Sequence, residues 1–187
     1  MIRKAFPTDY RFVAKLMIQA MEEIVSKFIN QQHPHQAIEL FEYFFQKENN
    51  QYSYRHTLVY TEDENKAVVG SLTGYDGARL IEYRKPIFDY IFQHYGHQLV
   101  LEPETGTGEF YFDTISVHPD YQGQGIGKNL ILAGIDRAHE QGHQRVGLLV
   151  DERNPSAKKL YTKMGFYMSE KKHFAGALHD HLVLDIT

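Results

Sequence analysis

The sequence predicts a single α/β domain spanning residues 1–187, and three observations carry that expectation. Strand-like and helix-like periodicities alternate along the chain, and no linker, repeat or low-complexity tract interrupts them. The composition, 42% hydrophobic and 24% charged over 187 residues, suffices for one buried core.

The elements follow in order. After a first strand, Phe12, Val13, Leu16, Met17, Ala20, Met21, Ile24, Val25 and Phe28 keep three-and-four spacing, which predicts one helix with Thr8 as its cap. A second helix is expected after Pro34, carrying Ala37, Ile38, Leu40, Phe41, Phe44 and Phe45. "HTLVYT" and "KAVVGSLTGY" read as a strand pair around the turn "EDEN". From Asp76 to Gly108 the pattern weakens: "IFDYIFQHYG" suits a short helix behind Pro86, and "EPETGTGE" is a loop. This segment, about 76–108, is expected to be an insertion over a site. "EFYFDTISV" is a strand, Gly125 to Gln141 a helix, "RVGLLV" a buried strand, Pro155 to Met164 a helix, and "HLVLDI" a final alternating strand.

Composition removes several chemistries. With no cysteine there is no disulfide, no thiolate metal site and no cysteine nucleophile. A net charge of −4 without a long basic run argues against a nucleic-acid groove. The N-terminal stretch is broken by Lys15 and Gln19, so it predicts neither signal peptide nor membrane span, and a cytoplasmic protein is expected.

The stretch "QGQGIG", Gln122 to Gly127, lies between a strand and a helix. Such a loop gathers unspent backbone N–H groups at the positive end of the helix dipole, where an anion, most often a phosphate, is stabilised. Glycines let the backbone approach a ligand with no Cβ in the way. Two familiar phosphate loops fail here. A Walker A loop requires glycine at position 122 and Ser or Thr after the lysine, where the chain has Gln122 and Asn129; the dinucleotide fingerprint requires a third glycine where Lys128 stands.

The pattern Gln-x-x-Gly-x-Gly, preceded by "VHP" (Val117 to Pro119) and followed by "NPSAKKLYTKMGF" (Asn154 to Phe166), resembles the GNAT superfamily of N-acetyltransferases. From the start of the first motif to the end of the second, residues 117–166, the two span about a quarter of the chain. The resemblance implies a mixed, largely antiparallel sheet, with a splayed parallel pair of strands at its centre and helices on its flanks. It implies acetyl-CoA as co-substrate, with no metal. By position, backbone groups of Ile115, Ser116 and Val117 would meet the pantetheine arm. Gln122, Gly123, Gln124, Gly125, Ile126, Gly127 and Lys128 would hold the pyrophosphate. A loop with glycines for packing alone is the structural alternative.

The second motif is physically sensible on its own. Asn154 before Pro155 is a helix start, and Gly165 ends that helix. Ala157, Leu160, Tyr161 and Met164 share one face, which turns Tyr161 toward the sheet. A buried tyrosine is usually core; the resemblance implies instead that Tyr161 protonates the departing coenzyme A thiolate, and that Asn154 and Ala157 touch the cofactor. An amine of pKa near ~10 must also lose a proton before it attacks. Alternation places Glu109, Tyr111 and Asp113 on one strand face. The family's glutamate position falls on Tyr111, so Asp113 is the first candidate base and Glu109 the second, each equally readable as a structural strand residue.

"HEQGH", His139 to His143, spells a zinc-hydrolase signature. Gly142 reads as the helix end, which leaves His143 beyond the last turn, and helix rise puts His139 about 21 Å from Gly125. His179 and His181 read as surface or core-satisfied groups rather than ligands. Three functions are therefore weighed: acetyl transfer to a primary amine by direct attack in a ternary complex, a catalytically silent acyl-CoA sensor on the same fold, and a zinc hydrolase. Glu102, Glu104, Glu109 and Asp113 suggest an acidic cleft and a small cationic amine or a protein amine as acceptor. No membrane partner is expected, and a homodimer is left open.

Overall fold

A seven-stranded sheet runs through the computed structural model, which describes residues 1–28, 34–62 and 67–186. The first half of the chain supplies β1 (Ile2–Lys4), α1 (Tyr10–Ala20), α2 (Glu22–Phe28), α3 (Pro34–Phe45), β2 (Thr57–Thr61), β3 (Val68–Asp76) and α4 (Leu80–Tyr95). The second supplies β4 (Phe110–Val117), α5 (Ile126–Glu140), β5 (Arg145–Asp151), α6 (Pro155–Lys163), β6 (Tyr167–Phe174) and β7 (Ala177–Asp185). The strand order is β1-β2-β3-β4-β5-β7-β6. Every neighbouring pair is antiparallel except β4 with β5.

That exception positions the site. β4 and β5 are in register only at Phe110 with Val146, Tyr111 with Gly147 and Phe112 with Leu148. Beyond Phe112, β4 continues to Val117 and β5 to Asp151 without pairing, so the two strands part and leave a wedge in the sheet. A bulge adds to the opening. Thr73 of β3 faces Thr114 while Gly74 faces Phe112, which leaves Asp113 as the extra residue on β4. The expected alternation of Glu109, Tyr111 and Asp113 therefore inverts beyond Asp113. Ile115 joins Phe110 and Phe112 on one face, and Thr114 and Ser116 turn to the other with Thr73 and Ser71.

One face of the sheet packs on α5 and α6 through Leu72, Phe112, Leu130, Leu148 and Phe166. Gly134 lets α5 come close there, since a Cβ on it would lie 2.7 Å from the Phe112 ring. The opposite face carries α1 to α4, with an aromatic cluster of Phe28, Phe41 and Tyr52 beneath them. No helix among the described residues is long and apolar enough to cross a membrane.

Several local expectations are corrected. The N-terminal helical run is two helices, broken at Met21 (φ −124°, ψ 23°), although neither glycine nor proline marks the break. Thr8 does not cap α1; it lies in a short 3-10 turn, and Asp9 closes that turn by accepting the Phe6 N–H at 2.7 Å and pairing with Arg3. The helix in segment 76–108 begins at Leu80, six residues ahead of Pro86, which sits inside it. β6 has no strand-like pattern because it is an edge strand, exposed along most of its length, so no buried face imposes alternation. Of the turn "EDEN", residues 63–65 lie outside the described residues.

Candidate active site

The wedge between β4 and β5 opens into a cleft of about 550 Å³. Its two ends are built differently.

At one end, β4 delivers Ile115, Ser116 and Val117 to the cleft wall. The chain then turns through Gly123 (φ 76°) and Gly125 (φ 80°), both left-handed, before α5 begins. These two positions require glycine; Gly127 is helical, and a Cβ there would meet only ordinary contacts at 3.8 and 3.9 Å. The first bond of α5 runs from Asn129 N–H to the Gly125 carbonyl, so the N–H groups of Ile126, Gly127 and Lys128 have no partner within the helix. Ile126 is buried and pins the loop, while Gln122, Gly123, Gln124, Gly125 and Lys128 are exposed. The Val117 carbonyl accepts the side-chain amides of Gln122 at 3.0 Å and Gln19 at 2.9 Å, and Gln19 also donates to Ser116 Oγ. Among the described residues this end thus presents a cluster of unspent donors at a helix N-terminus, the arrangement that suits a phosphate.

α6 closes the same side. Asn154 Oδ1 accepts the Ala157 N–H at 3.1 Å, which caps the helix, and Asn154, Ala157 and Tyr161 all line the cleft. The Tyr161 ring packs edge-on against Phe166 at 5.8 Å. Its hydroxyl makes no hydrogen bond among the described residues, and burial pushes its pKa up to about 12. At neutral pH it is a phenol with a free donor facing the cleft.

The other end is a polar cluster gathered from five separate parts of the chain. Asp113 Oδ2 accepts the Tyr75 hydroxyl at 2.6 Å and the Gln51 side-chain amide at 2.6 Å. The same Gln51 nitrogen donates to Glu104 Oε1 at 2.8 Å, and Arg84 pairs with that oxygen at 2.9 Å. Arg84 is fixed further by the carbonyls of Leu101 and Glu102. Burial raises both carboxyl groups above their ordinary range. For Glu104 the second cause is the Asp113 charge, opposed by Arg84; for Asp113 the hydrogen bonds from Tyr75 and Gln51 act against the rise. Asp113 Oδ1 and Glu104 Oε2 accept no hydrogen bond from the described residues, and both side chains line the cleft.

Glu109 lies elsewhere. It is buried below the paired start of β4, accepts Thr105 Oγ1 at 2.5 Å, and lies 2.9 Å from His181 Nε2. These hydrogen bonds outweigh its burial and leave its pKa below the ordinary value. It does not line the cleft. Glu102 is also committed, accepting the Ala175 N–H at 3.0 Å at the exposed turn between β6 and β7. The expected cluster of four acids therefore contributes two groups to the cleft, Asp113 and Glu104. At the far end of the molecule α5 stops at Glu140, Gly142 is left-handed (φ 82°), and His143 lies beyond the helix against the Phe110 ring.

Gln51, Tyr75, Arg84 and Gln19 have no counterpart among the sequence-derived candidates. Each comes from a different part of the chain, 17 or more residues from its partners, and no local spacing announces them.

Comparison with known proteins bears on this geometry. Residues 18–166 match the profile of the Acetyltransferase (GNAT) family. The mycothiol acetyltransferase of Paenarthrobacter aurescens (strain TC1) is 44% identical over 64 residues, which are 34% of this chain and 19% of that relative. The Thermobifida fusca (strain YX) protein of the same name is 41% identical over 63 residues, 34% of this chain and 19% of its own length. The match thus takes in about a fifth of the length of these curated relatives. Among solved structures, an acetyltransferase superposes over 100% of both chains with a TM-score of 0.84 at 29% identity. An N-acetyltransferase from Staphylococcus aureus Mu50 reaches 0.86 at 27% identity, over 98% of this chain and 100% of its own.

Proposed function

We propose that this chain, which belongs to the GNAT acetyltransferase family, moves the acetyl group of acetyl-CoA to a primary amine by direct attack within a ternary complex. The observation that carries the reading is the wedge between β4 and β5, with a phosphate-suited loop at one end and an open carboxylate at the other.

The N–H groups at the start of α5, and Gly123 and Gly125 before them, would hold the pyrophosphate. The unpaired edge of β4 would hold the pantetheine arm, with Ile115, Ser116 and Val117 alongside. That placement puts the thioester between Tyr161 and Asp113. The amine nitrogen attacks the carbonyl carbon, the carbon–sulfur bond breaks, and the acetyl group becomes an amide. Asp113, through Oδ1, takes the proton that the amine nitrogen must shed. A hydroxyl with a pKa of about 12 holds its proton against a thiolate whose ordinary pKa is near ~8.5, so Tyr161 steadies the departing sulfur chiefly by donating a hydrogen bond. With no cysteine in the chain, no acyl-thiol intermediate on the protein is required.

The test is thiol release from acetyl-CoA by purified protein with a panel of primary amines, followed by initial-rate analysis. Intersecting lines are expected. Parallel lines or an isolated acetyl-protein would overturn direct attack. Tight acetyl-CoA binding with no turnover for any amine would favour the silent sensor.

A further inference from the structure

We propose that the acceptor end of the cleft is built for a monocationic primary amine on an apolar stem, and discriminates against diamines and polyamines. The inference rests on the acetyl-transfer reading and narrows its acceptor.

Charge comes first. The polar cluster at this end contains two carboxylates, Asp113 and Glu104, and one guanidinium, Arg84. Burial and mutual repulsion favour a shared proton on the two carboxyls while the cluster is empty; an ammonium seated between them favours the ionised pair, and the cluster then carries one net negative charge, enough for one ammonium ion. Among the described residues the other ionisable groups on the cleft wall do not add a second seat. Asp151 is bound to Arg153 at 2.7 Å, so that pair is neutral, and Glu22 is exposed, where water screens it. Glu102 and Glu109 are committed away from the cleft.

Valence comes next. An ammonium group has three N–H donors and no acceptor. Asp113 Oδ1 and Glu104 Oε2 are acceptors with no hydrogen bond from the described residues, and the Tyr111 hydroxyl, also on the cleft wall, makes none either. The Gln51 amide ties the two carboxylates together by donating to both, so they are held as one receptor rather than two independent side chains.

The walls decide what the ammonium is attached to. Met21, Ile24, Phe28, Tyr52, Leu101 and Phe174 line the approach. Tyr52 spends its hydroxyl on the Met21 sulfur at 3.7 Å, and Phe174 packs against His179 and lies 6.0 Å from the Arg84 guanidinium. A second ammonium carried along this wall would lose hydration and meet ring faces but no carboxylate, whereas an alkyl or aryl stem gains by burial.

The experiment compares kcat/KM of the wild-type protein for hexylamine and 2-phenylethylamine with that for putrescine and spermidine, at fixed acetyl-CoA and constant ionic strength. The monoamines are expected to lead by at least about tenfold, since the second charge is left uncompensated. Equal or better turnover of the polyamines overturns this inference and leaves acetyl transfer intact. No turnover of any amine by protein that binds acetyl-CoA overturns both. Glu104→Gln removes the net charge of the cluster, and the KM for hexylamine should rise about tenfold with acetyl-CoA affinity unchanged. An unchanged amine KM in that folded variant would show that the cluster does not seat the ammonium.

Discussion

The two ends of the cleft differ in how far their parts lie from one another in sequence. The end assigned to acetyl-CoA is made of two continuous stretches, Ile115–Lys128 and Asn154–Tyr161. Each is organised by its own backbone: left-handed glycines, a helix start, an Asn cap. The end assigned to the acceptor joins Gln51, Tyr75, Arg84, Glu104 and Asp113, with a sequence separation of 62 between Gln51 and Asp113, and is organised by side chains. Local backbone chemistry leaves a sequence signature, because a turn with positive φ demands glycine and a helix start favours Asn and Pro. A side-chain cluster leaves none, since glutamine, tyrosine or arginine at one position says nothing of what the fold brings beside it. The contrast also states how the two ends should fail: the first through conformation, the second through charge.

The largest effect should come from Gly125→Val. A β-branched residue resists φ near 80°, and open space around the position means that no clash softens or confuses the result. If the loop repacks, the N–H groups at the start of α5 no longer converge, and losing two charge-assisted bonds at about 1.5–3 kcal/mol each weakens acetyl-CoA by at least a hundredfold. Calorimetric titration reads it. Gly127→Ala is the control, because that glycine is helical with room for a Cβ, and its affinity should stay within about threefold. Equal losses in both would mean that side-chain volume, not backbone conformation, governs this end.

Asp113→Asn strikes the other end. Loss of a proton acceptor costs about 10² to 10³ in kcat, with acetyl-CoA affinity retained. The pH dependence follows from the direction of the shift. Burial raises the Asp113 pKa, and the group accepts a proton only when ionised, so kcat/KM should climb with pH through a value above the ordinary 3.8 and be lost below it. In the asparagine variant that limb should vanish. Its persistence would assign the proton to another group.

Much of the fold was legible because hydrophobic periodicity reports burial. The strands "EFYFDTISV" and "RVGLLV" and the helices after Gly125 and Asn154 lie where their patterns place them. β6 was not legible because its exposed edge position leaves Tyr167 to Lys171 free of any burial constraint. The break at Met21 and the bulge at Asp113 were not legible either, since no glycine or proline stands at either position. The bulge matters most, because it leaves Asp113 outside the register with β3 at the point where the strands part. Glu109 and Asp113 look equivalent by alternation, yet one is tied to His181 and the other opens on the cleft.

Tyr161→Phe should have an intermediate effect. The ring and its contact with Phe166 remain, and the hydroxyl has no partner among the described residues whose loss would destabilise the protein. A hydrogen bond to the departing sulfur is worth roughly 10 to 100-fold in kcat, at the lower end because a thiolate already leaves readily. Melting temperature should be unchanged within about a degree, and acetyl-CoA affinity within about threefold. A variant that melts far lower would make Tyr161 a core residue instead.

Glu109→Gln should disturb turnover least and so separates the two acids of β4 most sharply. Glu109 lies outside the cleft, so its loss removes no group from the reacting atoms. What it does remove is a buried charge that accepts Thr105 and neighbours His181, with its pKa held below the ordinary value by those two hydrogen bonds. The sign is then fixed: a carboxylate with a depressed folded pKa stabilises the fold above its unfolded pKa, and that contribution disappears as pH falls through the folded one. Replacing it by an amide keeps the shape but loses a charge-assisted bond of about 1.5–3 kcal/mol, so the melting temperature at neutral pH should fall by roughly 3–12 °C in a chain of this size. The deficit should shrink toward acid pH, where the wild-type carboxylate also loses its charge. Meanwhile kcat should stay within about threefold of wild type, because nothing in the cleft has moved. A hundredfold loss of kcat at unchanged stability would make Glu109 the proton acceptor and Asp113 the structural acid.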